Sequence, residues 1–266
     1  MTDTTTLDDV LFWDVDTQHD FIDPDGKLAV PGADDRVDRM ARLTEYAADS
    51  DVYHGGSVDA HEPDDPEFEV YPPHCVDGTP GQQKLDATTR DPLYVPEQEL
   101  TDDQQAEVAD YAADGGQVIF EKRSPDVRDN PNLADYVEAV DPDAVAIYGV
   151  VTEICVDQAV DYFVEDTDVD QVYVVEDAIH ELDGDDRDAA FEDWQDRGVE
   201  FITTWEIEDG RSFAEGIAEP QQSYGREQLE TLYLNGEMDD VDLERHAGEF
   251  PMYVEQLKQR KEELAG

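Results

Sequence analysis

Residues 144–163, AVAIYGVVTEICVDQAVDYF, decide how the rest of the chain is read. Ala144 to Tyr148 are apolar, Gly149-Val150-Val151 breaks the run, and Val156, Ala159, Val160 and Phe163 then recur at helical spacing. The stretch predicts a strand, a tight turn and a helix, with Cys155 where the helix begins. A thiol at that place lies near the positive end of the helix dipole and near unpaired backbone N–H groups, which lower its pKa and can hold an oxyanion. Two readings stand at this point, a nucleophile and a small core residue, because free cysteine is also among the most often buried types.

Working outward, the same alternation repeats. Val10 to Val15 is an almost continuous apolar run, the pattern of a strand covered on both faces, and it ends among Asp14, Asp16 and Asp20. A helix pattern around Val37, Met40, Ala41, Thr44 and Ala47 leads to a second strand, Val52 to Val58. Thr101 opens a helix with a capping box, Gly115-Gly116 closes it, and a strand from Gln117 to Glu121 delivers Lys122. Asn130-Pro131 has the form of an N-cap and first-turn proline. After residue 163 come a strand at Val172 to Val175, a helix from about Asp185 to Arg197 and a strand at Val199 to Thr203. The expected fold is α/β, a doubly wound parallel sheet of about six strands with helices on both faces. Two helical patterns, Arg226 to Leu234 and Phe250 to Leu264, follow as a C-terminal extension; the boundaries read as 1–207 for the α/β domain and 208–266 for the extension.

Seventeen Lys and Arg stand against 71 Asp and Glu, a formal net charge of −54, which argues against binding nucleic acid or an anionic membrane through a basic surface. With 39% hydrophobic residues the chain still has the means to fold, so the acid reads as a surface coat. Such a coat suits a salt-rich cytosol, where at about 1 M ionic strength the Debye length falls to ~3 Å and self-repulsion is screened. Two cysteines, no signal-like start and no long apolar run lead to the expectation of a cytoplasmic protein without a membrane segment. A homo-oligomer is expected, with the extension as a contact or as a rim to the site.

Chemistry-bearing residues gather at the predicted strand ends. Asp16 ends the first strand, on the edge where open α/β sheets place their ligands. Asp59-x-His61 ends the second, and His74 follows on a proline-stiffened loop, so these three form a candidate metal set with positions left for water or substrate. Lys122 is one of only five lysines in the chain; beside a thiol it favours the thiolate, and a nearby carboxylate can take the proton.

Taken together, Asp16-Thr17-Gln18-His19-Asp20-Phe21, Asp59-x-His61, Pro72-Pro73-His74-Cys75-Val76, Lys122 and Gly149-Val150-Val151-Thr152-x-x-Cys155 resemble the isochorismatase-like cysteine hydrolases, and among them the nicotinamidases, over about residues 8–206. The resemblance implies a small-molecule amide as substrate, with Cys155 as nucleophile, Asp16 as general base and acid, and Lys122 as the cation that stabilises the thiolate. It implies a cis peptide before Val151 and an oxyanion hole from the N–H groups of Val151 and Cys155. It also implies a divalent metal, commonly zinc with manganese or iron as options, on Asp59, His61 and His74, and in a nicotinamidase a substrate ring nitrogen on that metal. Phe21 and Tyr71 are candidates to sandwich the ring. Nicotinamidases often have tryptophan where Tyr71 stands and a Gly-rich continuation where this chain has Arg123-Ser124-Pro125. Other small amides, ureido compounds, an isochorismate-like vinyl ether and a non-catalytic binding role are the competing functions. Glu67, on the loop before His74, reads as a solvated carboxylate ahead of a water-mediated metal contact.

Overall fold

The computed structural model describes residues 10–208 apart from 51 and 183, together with 233–234, 243, 257–258 and 260–261. Its strands are β1 (Val10–Val15), β2 (Tyr53–Asp59), β3 (Leu93–Val95), β4 (Gln117–Lys122), β5 (Ala144–Val150), β6 (Gln171–His180) and β7 (Glu200–Ile202). Its helices are α1 (His19–Ile22), α2 (Val37–Asp49), α3 (Asp102–Ala113), α4 (Leu133–Val140), α5 (Asp157–Glu165), α6 (Gly184–Asp196) and α7 (Thr204–Glu208). The strands form one sheet in the order β3-β4-β2-β1-β5-β6-β7, parallel throughout. The chain steps outward from β1 on one side, returns, and builds outward from β5 on the other. That reversal leaves a crevice beyond the carboxyl ends of the central strands.

Every residue of β1 is buried, which is why its sequence shows no alternation. Leu11, Trp13 and Val15 face a core completed by Val108 and Ala112 of α3, Leu133, Tyr136 and Val137 of α4, Ala159, Val160 and Phe163 of α5, and Trp194 of α6. Trp13 stacks on Phe120 and meets Phe163 edge-on. Truncating an aromatic ring in such a core costs about 3–5 kcal/mol. On the opposite face α2 buries Met40, Leu43, Thr44 and Ala47, and Phe12 meets Tyr46 with ring centroids 5.8 Å apart. The doubly wound α/β expectation therefore holds.

Three details differ from the sequence reading. The sheet has a seventh strand, β3, a three-residue edge strand too short to show a period. The helix expected from Asn130-Pro131 begins at Leu133 instead. Asn130 Oδ1 accepts from Asn132 N–H (3.0 Å) ahead of the helix, and its side-chain amide donates to the carbonyls of Val95 (3.0 Å) and Glu121 (2.9 Å), tying the ends of β3 and β4 together. β6 runs to His180, well past Val175, because its pairing with β5 resumes after a register shift between Ile147 and Gly149. The capping box at Thr101 is present as expected.

The chain divides into two compact units, Met1–Thr204 and Trp205–Gly266. Most of the two C-terminal helical patterns lies outside the described residues. Within the second unit Tyr233, Leu234, Leu257, Lys258, Arg260 and Lys261 are helical, and Lys261 Nζ sits 4.0 Å from the centroid of the Tyr233 ring. Among the described residues no helix is long and apolar enough to cross a membrane.

Candidate active site

Strand register brings four chain segments to one point. Val15 is paired with Ser57 of β2 and Gly149 of β5, and Asp59 is paired with Lys122 of β4. Gly149 is required there: its φ is +123°, and a Cβ would lie 2.0 Å from the Val15 carbonyl oxygen. The chain then passes through a cis Val150–Val151 peptide, as expected, into a π-helical turn over Thr152–Val156 that continues as α5. Cys155 sits in this turn and not in regular α-helix. Asp16, just past β1, has a φ of 51°; its carboxylate accepts from Ser57 Oγ (2.8 Å) and from Lys122 Nζ (2.8 Å). Lys122 Nζ also donates to Asp59 Oδ1 at 2.5 Å and lies 3.8 Å from Cys155 Sγ. Asp16, Lys122 and Cys155 are thus brought together, with Asp59 sharing the lysine.

The buried charges drive these groups apart in acidity. Burial raises Asp16 above the ordinary carboxylate range, Lys122 opposing and Asp59 adding to the rise. Burial would also raise Asp59, but Lys122 and the two histidines outweigh it and hold that carboxyl far below its usual value. Burial alone would lower Lys122; Asp16 and Asp59 more than reverse this and keep it firmly protonated. The Cys155 thiol is pushed well up, first by burial, against the pull of Lys122, and further by the two aspartates and a hydrogen bond with Asp16. This corrects the expectation of a dipole-lowered thiol: desolvation next to two carboxylates outweighs the partial charge of one helix end. One carboxylate is poised to take a proton, and the other stays an anion.

Asp59, His61 and His74 present ligand atoms that all lie within 4.8 Å of one another, and all three residues are buried. A hydrogen bond from His61 N–H to the Cys75 carbonyl (3.0 Å) and one from Asp77 N–H to the His61 carbonyl (2.9 Å) hold the two histidine segments side by side. The His74 ring bonds through Nδ1 to the Pro72 carbonyl at 2.9 Å, which fixes the tautomer with Nε2 open toward Asp59. His61 Nε2 is buried without a hydrogen-bond partner, which a metal there would satisfy, while Nδ1 faces Asp65 Oδ2 at 3.3 Å. The donor set of one carboxylate and two imidazoles suits zinc, manganese or iron. Glu67 corrects the sequence reading: it is part-buried and lies 4.0 Å from Nε2 of both histidines, placed by the Asp65-capped turn before it.

Residues 99–206 match the family model for the isochorismatase domain. That part of the chain is similar to the isochorismatase domain. The match contains Lys122 and Cys155, while Asp16, Asp59, His61 and His74 precede it. Among solved structures the chain is similar to an isochorismatase-like hydrolase from Alkaliphilus metalliredigens, with 19% identity and a TM-score of 0.59 over 76% of this chain and 98% of that one. It is similar to a pyrazinamidase/nicotinamidase from Streptococcus mutans UA159, with 25% identity and a TM-score of 0.58 over 73% and 99%. It is also similar to a pyrazinamidase of Pyrococcus horikoshii in complex with zinc, with 22% identity and a TM-score of 0.57 over 73% and 99%. No curated protein sequence matches the chain.

In this isochorismatase-like fold Cys155 and Asp59 open onto a cavity of about 90 Å³ lined also by Phe21, His74, Glu67, Tyr71 and Pro125. Phe21 is buried and packs on His74 with ring centroids 5.4 Å apart, whereas Tyr71 stands 40% exposed at the mouth. Leu28, Ala29, Val30, Ile154 and Leu182 complete an apolar wall that the sequence reading did not single out. The one signal for the first three is their position between Gly26 and Pro31-Gly32, a short apolar run framed by turn residues. Gln18, two residues past Asp16, grips the Asp59 peptide at both ends through its amide, accepting from its N–H and donating to its C=O at 2.8 Å each. Asp20 accepts from the N–H groups of Cys75 (2.8 Å) and Lys27 (3.1 Å), fastening the loop that carries His74.

Proposed function

We propose that this protein is a cysteine-dependent amide hydrolase that converts nicotinamide to nicotinate and ammonia through a thioester on Cys155. One observation carries the reading: Lys122 Nζ touches Asp16, Asp59 and the sulfur of Cys155 at once, so the proton-transfer group and the candidate metal group share a cavity. Asp16 accepts the thiol proton as Cys155 attacks the amide carbonyl, and Lys122 stabilises the anionic charge that moves between them. The N–H groups of Val151 and Cys155 donate to the oxyanion. Asp16 returns its proton to the departing ammonia and then deprotonates the water that cleaves the thioester. A divalent metal on Asp59, His61 and His74, zinc foremost, would supply a Lewis-acid contact for a ring nitrogen. Phe21 and Tyr71 flank the ring.

The named activity of the Streptococcus mutans neighbour and the zinc of the Pyrococcus horikoshii one support this reading. Among the described residues the cavity lining includes Asp59 and Glu67 but no lysine or arginine, which favours a neutral amide over a carboxylate-bearing vinyl ether or ureido acid. The working setting is a salt-rich cytosol. The test is ammonia release from nicotinamide and from benzamide, which lacks the ring nitrogen, in molar KCl. Nicotinamide is expected to be hydrolysed far faster, and a chelator or His74→Ala to remove most of that preference. Equal rates on both amides with no response to chelator would overturn the nicotinamide reading while leaving the cysteine hydrolase intact.

A further inference from the structure

Behind the carboxyl end of β1 lies a second buried ion pair that the reaction above does not use. Lys84 Nζ is 2.9 Å from Asp14 Oδ2, and both side chains are fully shielded from solvent. The two charges meet at Thr17, whose hydroxyl donates to Asp14 Oδ1 at 2.8 Å and accepts from Lys84 Nζ at 2.6 Å. Thr17 Oγ1 is also 2.7 Å from Thr88 Oγ1. Lys84 belongs to a segment that runs antiparallel to residues 17–19: Gln18 is bridged to Lys84, His19 N–H donates to the Gln83 carbonyl, and Leu85 N–H to the Thr17 carbonyl, each at 3.0 Å.

Taking two charges out of water is costly, and an apolar pair would fill the same space without that cost. Neither Asp14 nor Lys84 lines the cavity. What the pair does reach is the turn that carries Asp16 on one side of Thr17 and Gln18, the clamp on Asp59, on the other. Asp16 holds a left-handed φ of 51°, a conformation that a residue with a side chain keeps only where its surroundings impose it.

We propose that Asp14, Lys84 and Thr17 are positioning residues: the buried ion pair pins Thr17 and so holds the Asp16 carboxylate in line with Lys122 and the Cys155 thiol. This inference rests on Asp16 being the base for Cys155. It is tested in the full chain with Asp14→Leu/Lys84→Met, which removes both charges together, and with Thr17→Val and Thr17→Ser. The readouts are the melting temperature, kcat and KM for nicotinamide, and the rate at which iodoacetamide alkylates Cys155 at pH 7, followed by peptide mass spectrometry. The double variant is expected to stay folded with KM little changed, while kcat and Cys155 alkylation fall by roughly ten- to a hundredfold. Thr17→Val should show the same loss and Thr17→Ser should restore it. Native alkylation in the folded double variant would overturn the proposal, even if nicotinamide proved not to be the substrate. If native Cys155 is alkylated no faster than Cys75, the nucleophile assignment fails and this inference fails with it.

Discussion

The protein buries two lysines against aspartates at the carboxyl end of the same sheet, and only one of the pairs reaches the cavity that Cys155 lines. Lys122 joins Asp16, Asp59 and a thiol that lines the cavity; Lys84 joins Asp14 and a threonine hydroxyl, away from that cavity's lining. Burial raises Asp14 just as it raises Asp16, with a lysine opposing it in both cases. A shifted acidity therefore does not by itself separate a catalytic carboxylate from an architectural one. The third partner and access to the cavity do.

That contrast can be broken by substitution. Lys122→Met and Asp16→Asn are each expected to lower kcat by roughly two to four orders of magnitude, read as ammonia release. Near-native turnover in either variant would remove the distinction between the two sites. Lys84→Met strands Asp14 in the core without its cation and should cost about 3–5 kcal/mol of stability, read by thermal unfolding in molar KCl. Adding Asp14→Leu should recover most of it, and an unchanged melting temperature in the single variant would mean that the pair is not desolvated.

A smaller effect comes from a buried histidine that also feels the charge of Lys84. His54, whose Nε2 lies 3.1 Å from Tyr148 Oη on β5 and 3.2 Å from Gln117 Nε2 on β4, is pushed down to about 3 by burial, by Lys84 and by Arg90. The unfolded chain takes up this proton near pH 6.5 and the folded chain only near pH 3, so the stability of the neutral ring is complete above the first value and lost as pH falls toward the second. Between pH 7.5 and 5.5 this amounts to about 1.4 kcal/mol. His54→Gln should flatten the fall of melting temperature over that interval relative to the native protein, and parallel curves would contradict the assignment.

Local signals made much of this legible. The nearly continuous apolar runs at β1 and β5, the Thr101 capping box and the residues at the strand ends are all set by neighbours in sequence, and the structure places them as read. What stayed hidden depends on partners far along the chain. The Asn130 amide bonds the carbonyls of Val95 and Glu121, Glu67 turns inward over His61 and His74, and Asp14 finds Lys84 across a loop. The direction of the Cys155 shift was missed for the same reason: the helix end is visible in sequence, whereas the burial and the second carboxylate that overrule it are not.

The central claim is that the Cys155 sulfur, served by Asp16 and Lys122, attacks an amide. The most direct measurement is ammonia release from nicotinamide in molar KCl by native protein and by Cys155→Ala, with Cys75→Ala as the matched control and melting temperatures recorded for all three. Native protein and Cys75→Ala are expected to turn over, and Cys155→Ala to stay folded and release no ammonia above background. Comparable turnover by Cys155→Ala, or its loss only in Cys75→Ala, would contradict the account.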